Sequence, residues 1–120
     1  MEIPIFKQGD VLIVPVQPGV GDAGLLRLRT ALVQEVVRCR SRGVIVDVTS
    51  MEVMDSFSAR ILQETAHVIQ LRGAETVIVG IQPEVAFAMV QLGLRLESVQ
   101  TALDLEEGMN YLSRKFKTRT

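Results

Sequence analysis

The amino-acid sequence predicts an α/β fold with a single mixed sheet of four to five strands that alternate with helices. Two β-branched runs, at residues 44–48 and 76–80, have the composition of strands buried on both faces. Between and after these runs, apolar residues recur at the three- and four-residue spacing of amphipathic helices. Strands that alternate with helices pair in parallel through right-handed crossovers. The 120 residues are enough for one such fold, so we expect a single domain over residues 1–120.

Five segments are predicted as strands, and the last of them is the weakest. They lie at residues 3–7, 11–16, 44–48, 76–80 and 96–99. The polar segment 7–10, which contains Gly9, predicts a tight hairpin between the first two strands. A hairpin makes this pair antiparallel while the later strands pair in parallel, so the predicted sheet is mixed.

The first two predicted helices each end at a glycine, which adopts the positive φ of a helix C-terminus without strain. The first helix covers residues 23–42, with Gly43 as its C-terminal cap, and the second covers residues 56–72 before Gly73. The first carries one apolar stripe: Leu25, Leu28, Leu32 and Val36. The second repeats its apolar residues at helical spacing: Phe57, Ile61, Leu62, Val68 and Ile69.

The last two predicted helices are marked by their N-terminal residues. The third begins after Gln82, where Pro83 suits the first turn, and ends before Gly93. The fourth follows Asp104, and Glu107 three residues later completes a capping box. Their apolar stripes are Val85, Ala88, Met89 and Leu92 in the third, and Leu105, Met109, Leu112 and Phe116 in the fourth.

The segment that joins the third strand to the second helix is the most informative part of the chain. We expect Asp55 to be the N-cap, whose side chain accepts a hydrogen bond from the first turn. Ser56 is then the first helical residue, beside backbone N–H groups that lack a partner and favour anions. The local alternative is that Asp55 and Ser56 only cap the helix.

A glycine-rich loop offers a different interpretation. Gly19, Gly21 and Gly24 have G-x-G-x-x-G spacing after a strand and before a helix, and Asp47 follows downstream, as in a dinucleotide-binding fingerprint. Two prolines interrupt the passage from strand to loop, and the chain is too short for two mononucleotide-binding halves. We therefore interpret the segment as a loop and helix start, with a small nucleotide-binding domain as the alternative.

Charge and composition argue against several classes of function. The net charge of −1 disfavours nucleic acid or an anionic membrane as the main partner, and the basic run at residues 114–119 is interpreted as a solvated helix end. His67 is the single histidine and Cys39 the single cysteine, so no metal cluster, Ser-His-Asp triad or internal disulfide is predicted. We expect a protein that is not an enzyme, with no cofactor or metal.

Two further expectations concern location and the acidic residues. The N-terminus lacks the pattern of a secretion signal, and no apolar run approaches the length of a membrane span, so we expect a cytoplasmic protein. Asp47, Glu52 and Asp55 are close in sequence, but acids on such a loop are more often caps and turn residues than metal ligands.

Six motifs, spread over nearly the whole chain, point to a known family. They are Ile45-Val-Asp-Val-Thr-Ser, Met54-Asp-Ser-Phe57, Gly73-Ala74, Val79-Gly-Ile-Gln-Pro-Glu-Val85, Leu92-Gly-Leu94 and Thr101-Ala-Leu-Asp-Leu-Glu-Glu-Gly108. With these motifs the chain resembles the STAS domain family of anti-sigma-factor antagonists. Within that family it is most similar to the short scaffold subunits of the bacterial stressosome. Sensor-bearing subunits have threonine where this chain has Ser56, and free-standing antagonists have a small residue and glycine where it has Phe57 and Ser58.

The resemblance implies a phosphorylation switch. A serine/threonine kinase of the RsbT type would phosphorylate the motif serine, which is Ser56 here, with Ser58 as second choice. The resemblance also implies assembly with RsbR-type STAS subunits into a large particle that holds the kinase until phosphorylation releases it, and an RsbX-type phosphatase that resets the serine. We expect partner binding at Asp47, Glu52, Asp55, Ser56 and Phe57. A free-standing anti-anti-sigma factor is the alternative within the family.

Overall fold

The computed structural model describes residues 3–97 and 99–117. The elements in chain order are β1 (Phe6–Gln8), β2 (Val11–Pro15), α1 (Gly21–Cys39), β3 (Gly43–Asp47), α2 (Ser56–Leu71), β4 (Glu75–Val79), α3 (Pro83–Gln91), β5 (Gln100–Ala102) and α4 (Leu105–Lys117). The strands form one sheet in sequence order, in which β1 and β2 are antiparallel and the other neighbours are parallel. The predicted α/β fold class and the hairpin at Gly9 are confirmed.

Both faces of the sheet are covered, and alternate residues of each central strand point to opposite faces. In β3, Val44 and Val46 join the larger core cluster together with the apolar stripes of α1 and α2. Ile45 lies in the second cluster, where Leu112 of α4 is completely buried. Burial on both faces explains why the β3 sequence is continuously apolar rather than alternating.

Parallel pairing brings the segments of the predicted site to one edge of the sheet. Asp47 at the end of β3 pairs with Val79 at the end of β4, and Val79 pairs with Ala102 at the end of β5. The loops after these strands and the N-termini of the following helices therefore lie side by side at this edge, as is general for open α/β sheets. Among the described residues, none of the helices is both long and apolar enough to cross a membrane.

Several local predictions are confirmed by the contacts. α2 begins at Ser56, and the stripe of α1 at Leu25, Leu28, Leu32 and Val36 is buried. At the start of α4, the Glu107 N–H donates to Asp104 Oδ1 at 3.0 Å, and the Glu107 side chain accepts from the Leu103 N–H at 3.2 Å. The first of these bonds is the predicted cap, but the Glu107 side chain reaches the N–H of the residue before the N-cap rather than that of the N-cap itself, so the predicted capping box is formed only in part.

The predicted role of Gly43 is wrong. Helix α1 ends at Cys39, and the residue that adopts the left-handed conformation is Arg40, at φ 50°. Gly43 is instead the first residue of β3 and is buried. A Cβ atom at Gly43 would lie 2.9 Å from Leu112 Cδ1, so glycine allows α4 to pack closely against the strand.

The two outer strands also lie elsewhere than predicted. β1 is Phe6–Gln8 rather than residues 3–7, and β5 is Gln100–Ala102 rather than residues 96–99. The apolar residues that suggested the earlier positions do pack against the core, but from irregular segments: Ile3, Ile5, Leu96 and Val99. Pro4 contributes to this because proline has no N–H for strand pairing.

Other boundaries and burial predictions need smaller corrections. β2, β3 and β4 end one residue earlier than predicted, α1 begins at Gly21 rather than at residue 23, and α2 and α3 end slightly early. Three residues of the predicted apolar stripes are exposed, with exposed fractions of 40%, 65% and 40%: Val68, Leu92 and Leu105. Ser98 of the predicted fifth strand and residues 118–119 of the basic run lie outside the described residues.

Candidate functional site

Asp55 is the N-cap of α2, as predicted. Its backbone is extended, at φ −91° and ψ −179°, and its Oδ1 atom accepts a hydrogen bond from the Ser58 N–H at 2.8 Å. This hydrogen bond lowers the pKa of the Asp55 carboxyl group, because it stabilises the charged form. The Asp55 carbonyl oxygen accepts from the Ala59 N–H at 3.0 Å, which is the first backbone bond of the helix. The cap therefore holds a negative charge directly beside the first helical residue.

Ser56 and Ser58 have different environments. Ser56 is exposed at the first helical position, and no hydrogen bond joins its hydroxyl group to another described residue. Ser58 is only 7% exposed, and its backbone N–H is the donor to Asp55 Oδ1 in the cap. A second protein can thus reach the hydroxyl of Ser56 without disturbing the helix, whereas Ser58 belongs to the cap and the core.

Asp47 orders the loop that follows β3. Its Oδ1 atom accepts hydrogen bonds from the Thr49 backbone N–H at 2.9 Å and from the Thr49 hydroxyl at 2.6 Å. The Gln82 side-chain amide, at the start of α3, donates to the Thr49 carbonyl oxygen at 2.6 Å. Gly80 has φ 81°, and a Cβ atom there would collide with Thr49 Oγ1. The structure therefore places Asp47 in the support of the loop, together with residues that follow β4.

Thr49, Gly80 and Gln82 were not predicted as site residues. They meet because Asp47 pairs with Val79 across neighbouring parallel strands, so the two following loops touch. The separation of 33 residues between Thr49 and Gln82 leaves no local pattern in the sequence. Only the register between β3 and β4 indicates that these two loops meet, and the sequence analysis of single strands does not provide a register.

The rest of this loop alternates between buried and exposed side chains. Met51 and Met54 are 7% and 2% exposed and anchor the loop to the core. Glu52 is exposed, and Val53 is 69% exposed. Val53 was not predicted as a site residue either, because a lone apolar residue within a loop has no periodic context. Together with Ser56 it forms an exposed surface at the start of α2.

Phe57 follows Ser56 but points towards the protein. It is half-buried and packs against the larger core cluster. The Arg60 guanidinium group lies 5.6 Å from the centroid of the Phe57 ring, within the range of a cation–π contact. Phe57 therefore fixes the first turn of α2.

The glycine-rich loop lies beside the same site. A cleft of about 380 Å³ separates residues 17–22 from the loop at residues 50–55. Its lining includes the carboxylates of Asp22, Glu52 and Asp55 and, among the described residues, no Lys, Arg or His. Three negative charges repel the pyrophosphate of a dinucleotide, so the cleft opposes the nucleotide-binding alternative on electrostatic grounds.

The acidic residues do not form a metal site. Within residues 3–97 and 99–117, no group of three or more His, Cys, Asp or Glu side chains is arranged to hold a metal ion. His67, on α2, is exposed.

Comparisons with known proteins identify the family. The STAS domain signature matches residues 3–108. The RsbT co-antagonist protein RsbRA of Bacillus subtilis (strain 168) is 30% identical to the chain over 107 residues. This match covers 89% of the present chain and 38% of RsbRA, so the chain spans well under half the length of that relative.

Two solved structures are similar over nearly their whole length. RsbS of Moorella thermoacetica, in a form with one serine replaced by glutamate, has a TM-score of 0.83 at 27% identity and covers 98% of this chain and 99% of its own. A chain of the stressosome, which is described as a signal integration and transduction hub, has a TM-score of 0.78 at 31% identity. The match covers 98% of this chain and 100% of the stressosome chain. The predicted similarity to RsbS is confirmed, and these relatives support a regulatory role in partner switching. The chain belongs to the STAS domain family.

Proposed function

We propose that this chain is a stressosome subunit of the RsbS type, which holds an RsbT-type serine/threonine kinase and releases it when Ser56 is phosphorylated. The names of the relatives support this role, since RsbRA is an RsbT co-antagonist and the stressosome chain belongs to a signalling hub. The Moorella RsbS structure carries glutamate in place of a serine, a change that introduces a negative charge. On this proposal the protein acts in the cytoplasm and has no catalytic activity of its own.

The observation that carries the proposal is the difference in exposure between the two candidate serines. Ser56 is exposed at the start of α2, while Ser58 is 7% exposed and its backbone N–H is bonded to the Asp55 cap. A kinase must bring the acceptor hydroxyl close to the transferred phosphoryl group and in line with it. Ser56 meets this requirement in the folded domain, and Ser58 would require the first turn of α2 to open.

The proposed kinase-docking surface consists of Glu52, Val53, Asp55 and Ser56, together with the exposed part of the half-buried Phe57. Val53 offers apolar area to a partner, and burying a valine side chain contributes about 1.5 kcal/mol or more. Asp47 contributes indirectly, because its bonds to Thr49 hold the loop that presents this surface.

Phosphorylation would weaken this interface by charge repulsion. It adds about −1.5 to −2 charges beside the ionised carboxylate of Asp55. Two unit charges about 4 Å apart repel by about 1 kcal/mol in water and about 4 kcal/mol at an effective dielectric constant of 20. An interface that excludes water from Ser56 would therefore lose two or more decades of affinity. In the free domain, the N–H groups at the helix start stabilise the phosphate, so the fold need not change.

Assembly is the second part of the proposal. RsbR-type STAS subunits would combine with this chain in a large particle, and an RsbX-type phosphatase would return Ser56 to its unmodified form. Light scattering of the protein alone and mixed with an RsbR-type partner tests this part. A particle much larger than either component is expected, whereas a monomer in both samples would favour a free-standing anti-anti-sigma factor.

Phosphate mapping tests the site assignment. The protein, its Ser56→Ala variant and its Ser58→Ala variant are incubated with an RsbT-type kinase and ATP, and the products are mapped by mass spectrometry. We expect phosphate on Ser56 in the original and in Ser58→Ala, and none in Ser56→Ala. Phosphate on Ser58 of the unmodified sequence would contradict the assignment.

A further inference from the structure

An arginine-lined cleft lies at the edge of the sheet opposite Ser56, where α1 and α2 end and β3 begins. We propose that this cleft binds a phosphoryl group or a similar doubly charged oxyanion. Its volume is about 230 Å³, and its lining includes Arg40, Ser41, Arg42 and Arg72. Arginine suits this ligand because its planar guanidinium group donates two parallel hydrogen bonds to phosphate oxygens. The proposal does not depend on the role of Ser56.

The three arginines differ in how they are held. Arg42 is fixed in place, since its guanidinium lies 4.3 Å from the Phe116 ring centroid and 3.7 Å from the Asp10 carboxylate. Arg40 and Arg72 are exposed, and neither forms an ion pair or a side-chain hydrogen bond with any residue that the structure describes. The cleft thus combines one oriented cation with two whose donors are available to a ligand.

Arg40 occupies a backbone position that normally belongs to glycine. Its φ is 50°, and it is the only described residue other than glycine with a positive φ. The chain uses glycine after the two following helices, with φ 88° at Gly73 and 68° at Gly93. A side chain at such a position destabilises the fold by about 1 kcal/mol, so folding alone favours glycine at position 40. The presence of arginine points to a function of the guanidinium group.

Ser41 supplies an independent observation. It is 6% exposed, and its Oγ atom is buried without a hydrogen-bond partner among the described residues. A buried hydroxyl that lacks a partner is destabilising. No hydrogen bond holds its present rotamer, so a rotation about χ1 would let it donate to an oxyanion in the cleft. Thr76 has the other buried hydroxyl of this kind in the described part of the chain, but it does not line the cleft.

The charge balance favours an anion despite the helix ends. The C-termini of α1 and α2 each contribute a partial charge of about −0.5, and Asp10 offsets the charge of Arg42. Arg40 and Arg72 still leave the cleft positive by about one unit charge on this reckoning.

The volume of the cleft limits the size of the ligand, because pockets for drug-sized molecules measure about 300–1,000 Å³. A phosphoryl group fits this space, whereas a whole nucleotide is too large.

Titration of the full chain with inorganic phosphate at constant ionic strength tests the proposal, with calorimetry or arginine side-chain NMR as the readout. We expect saturable binding that Arg40→Gly and Arg72→Gln each weaken about tenfold or more. Arg38→Gln is the matched control, because Arg38 lies at the same helix end but is paired with Glu35 at 2.8 and 2.9 Å. This control should bind within about twofold of the original.

Arg40→Gly is informative because it should increase the stability of the fold and decrease the affinity for phosphate. It relieves the positive φ and so should raise the midpoint of urea unfolding while it weakens phosphate binding. Ser41→Ala should also weaken binding, and Thr76→Val, its matched control, should not. Absence of saturable binding, full affinity in Arg40→Gly or Ser41→Ala, or an equal loss in Arg38→Gln would overturn the proposal.

A second arm identifies the source of the phosphoryl group. A phosphoserine peptide and its unmodified form compete with inorganic phosphate for the protein. Tighter binding of the phosphopeptide than of free phosphate, lost in Arg40→Gly, supports a phosphorylated partner protein as the source. Weaker binding of the phosphopeptide supports the free ion as ligand of the same arginines.

Discussion

Substitution of Gly80 by alanine should displace the loop that presents Ser56. Gly80 has φ 81°, in the left-handed region that alanine adopts only with strain. A Cβ atom at this position would collide with Thr49 Oγ1 and lie 3.2 Å from Asp47 Oδ1. The hydroxyl of Thr49 must then move away from Asp47, which breaks the 2.6 Å hydrogen bond that orders the loop.

Gly73 separates the backbone effect from the collision. Its φ of 88° is similar, but a Cβ atom there would have no other atom within 4 Å. Gly73→Ala should therefore lower the free energy of unfolding by only the backbone term, about 1–2 kcal/mol. Gly80→Ala adds a steric term of about 1–3 kcal/mol, and its total loss should be about 2–5 kcal/mol.

Urea unfolding followed by circular dichroism measures both variants, and amide chemical shifts report on the loop. We expect Gly80→Ala to be the less stable of the two and to shift the amides of residues 49–55, while Gly73→Ala leaves them in place. Adding Thr49→Ala to Gly80→Ala should recover part of the lost stability, because it removes the colliding oxygen. Equal stability of the two glycine variants, with an unchanged loop, would refute the reasoning.

Three further outcomes follow from the contacts. Asp55→Ala should lower the free energy of unfolding by about 1 kcal/mol in urea titrations, and Asp55→Asn by much less, because asparagine also caps helices; equal losses would contradict the cap. Because the pKa of Asp55 is lowered, its charge stabilises the fold above its ordinary pKa of 3.8, and this stabilisation is lost as the pH falls below that value. Urea titrations of the original and of Asp55→Asn at several acidic pH values test this dependence. Leu112→Ala should cost about 2–5 kcal/mol in thermal or urea unfolding, because Leu112 is fully buried, whereas Leu71→Ala should cost about 0.5 kcal/mol or less at a side chain 76% exposed.

The central elements could be predicted because local and tertiary preferences agree in them. The β-branched run of β3 and the cap at Asp55 located the junction at Ser56 to the residue. The outer strands could not be placed in the same way. Ile5 and Val99 are apolar and contact the core, but burial is not strand pairing, and the paired residues of β5 include the polar Gln100.

The candidate site was predicted only in its local part. Asp55 and Ser56 are adjacent, so their cap geometry follows from the order of the residues. The support of the loop comes from Gly80 and Gln82, which the fold brings to Thr49 across two strands. Gly43 shows the same difficulty, because contact with Leu112 explains its glycine and helix termination does not. Long-range contacts of this kind leave no periodic pattern in one sequence.

The affinity of an RsbT-type kinase for unmodified and Ser56-phosphorylated protein tests the central claim most directly. Calorimetry should show a loss of two or more decades in affinity on phosphorylation, with Ser56→Asp weaker than the original but tighter than the phosphoprotein, since aspartate carries one charge. Ser56→Ala should bind as the original does, because it adds no charge. Kinase binding of equal strength to the unmodified and phosphorylated forms would contradict the account.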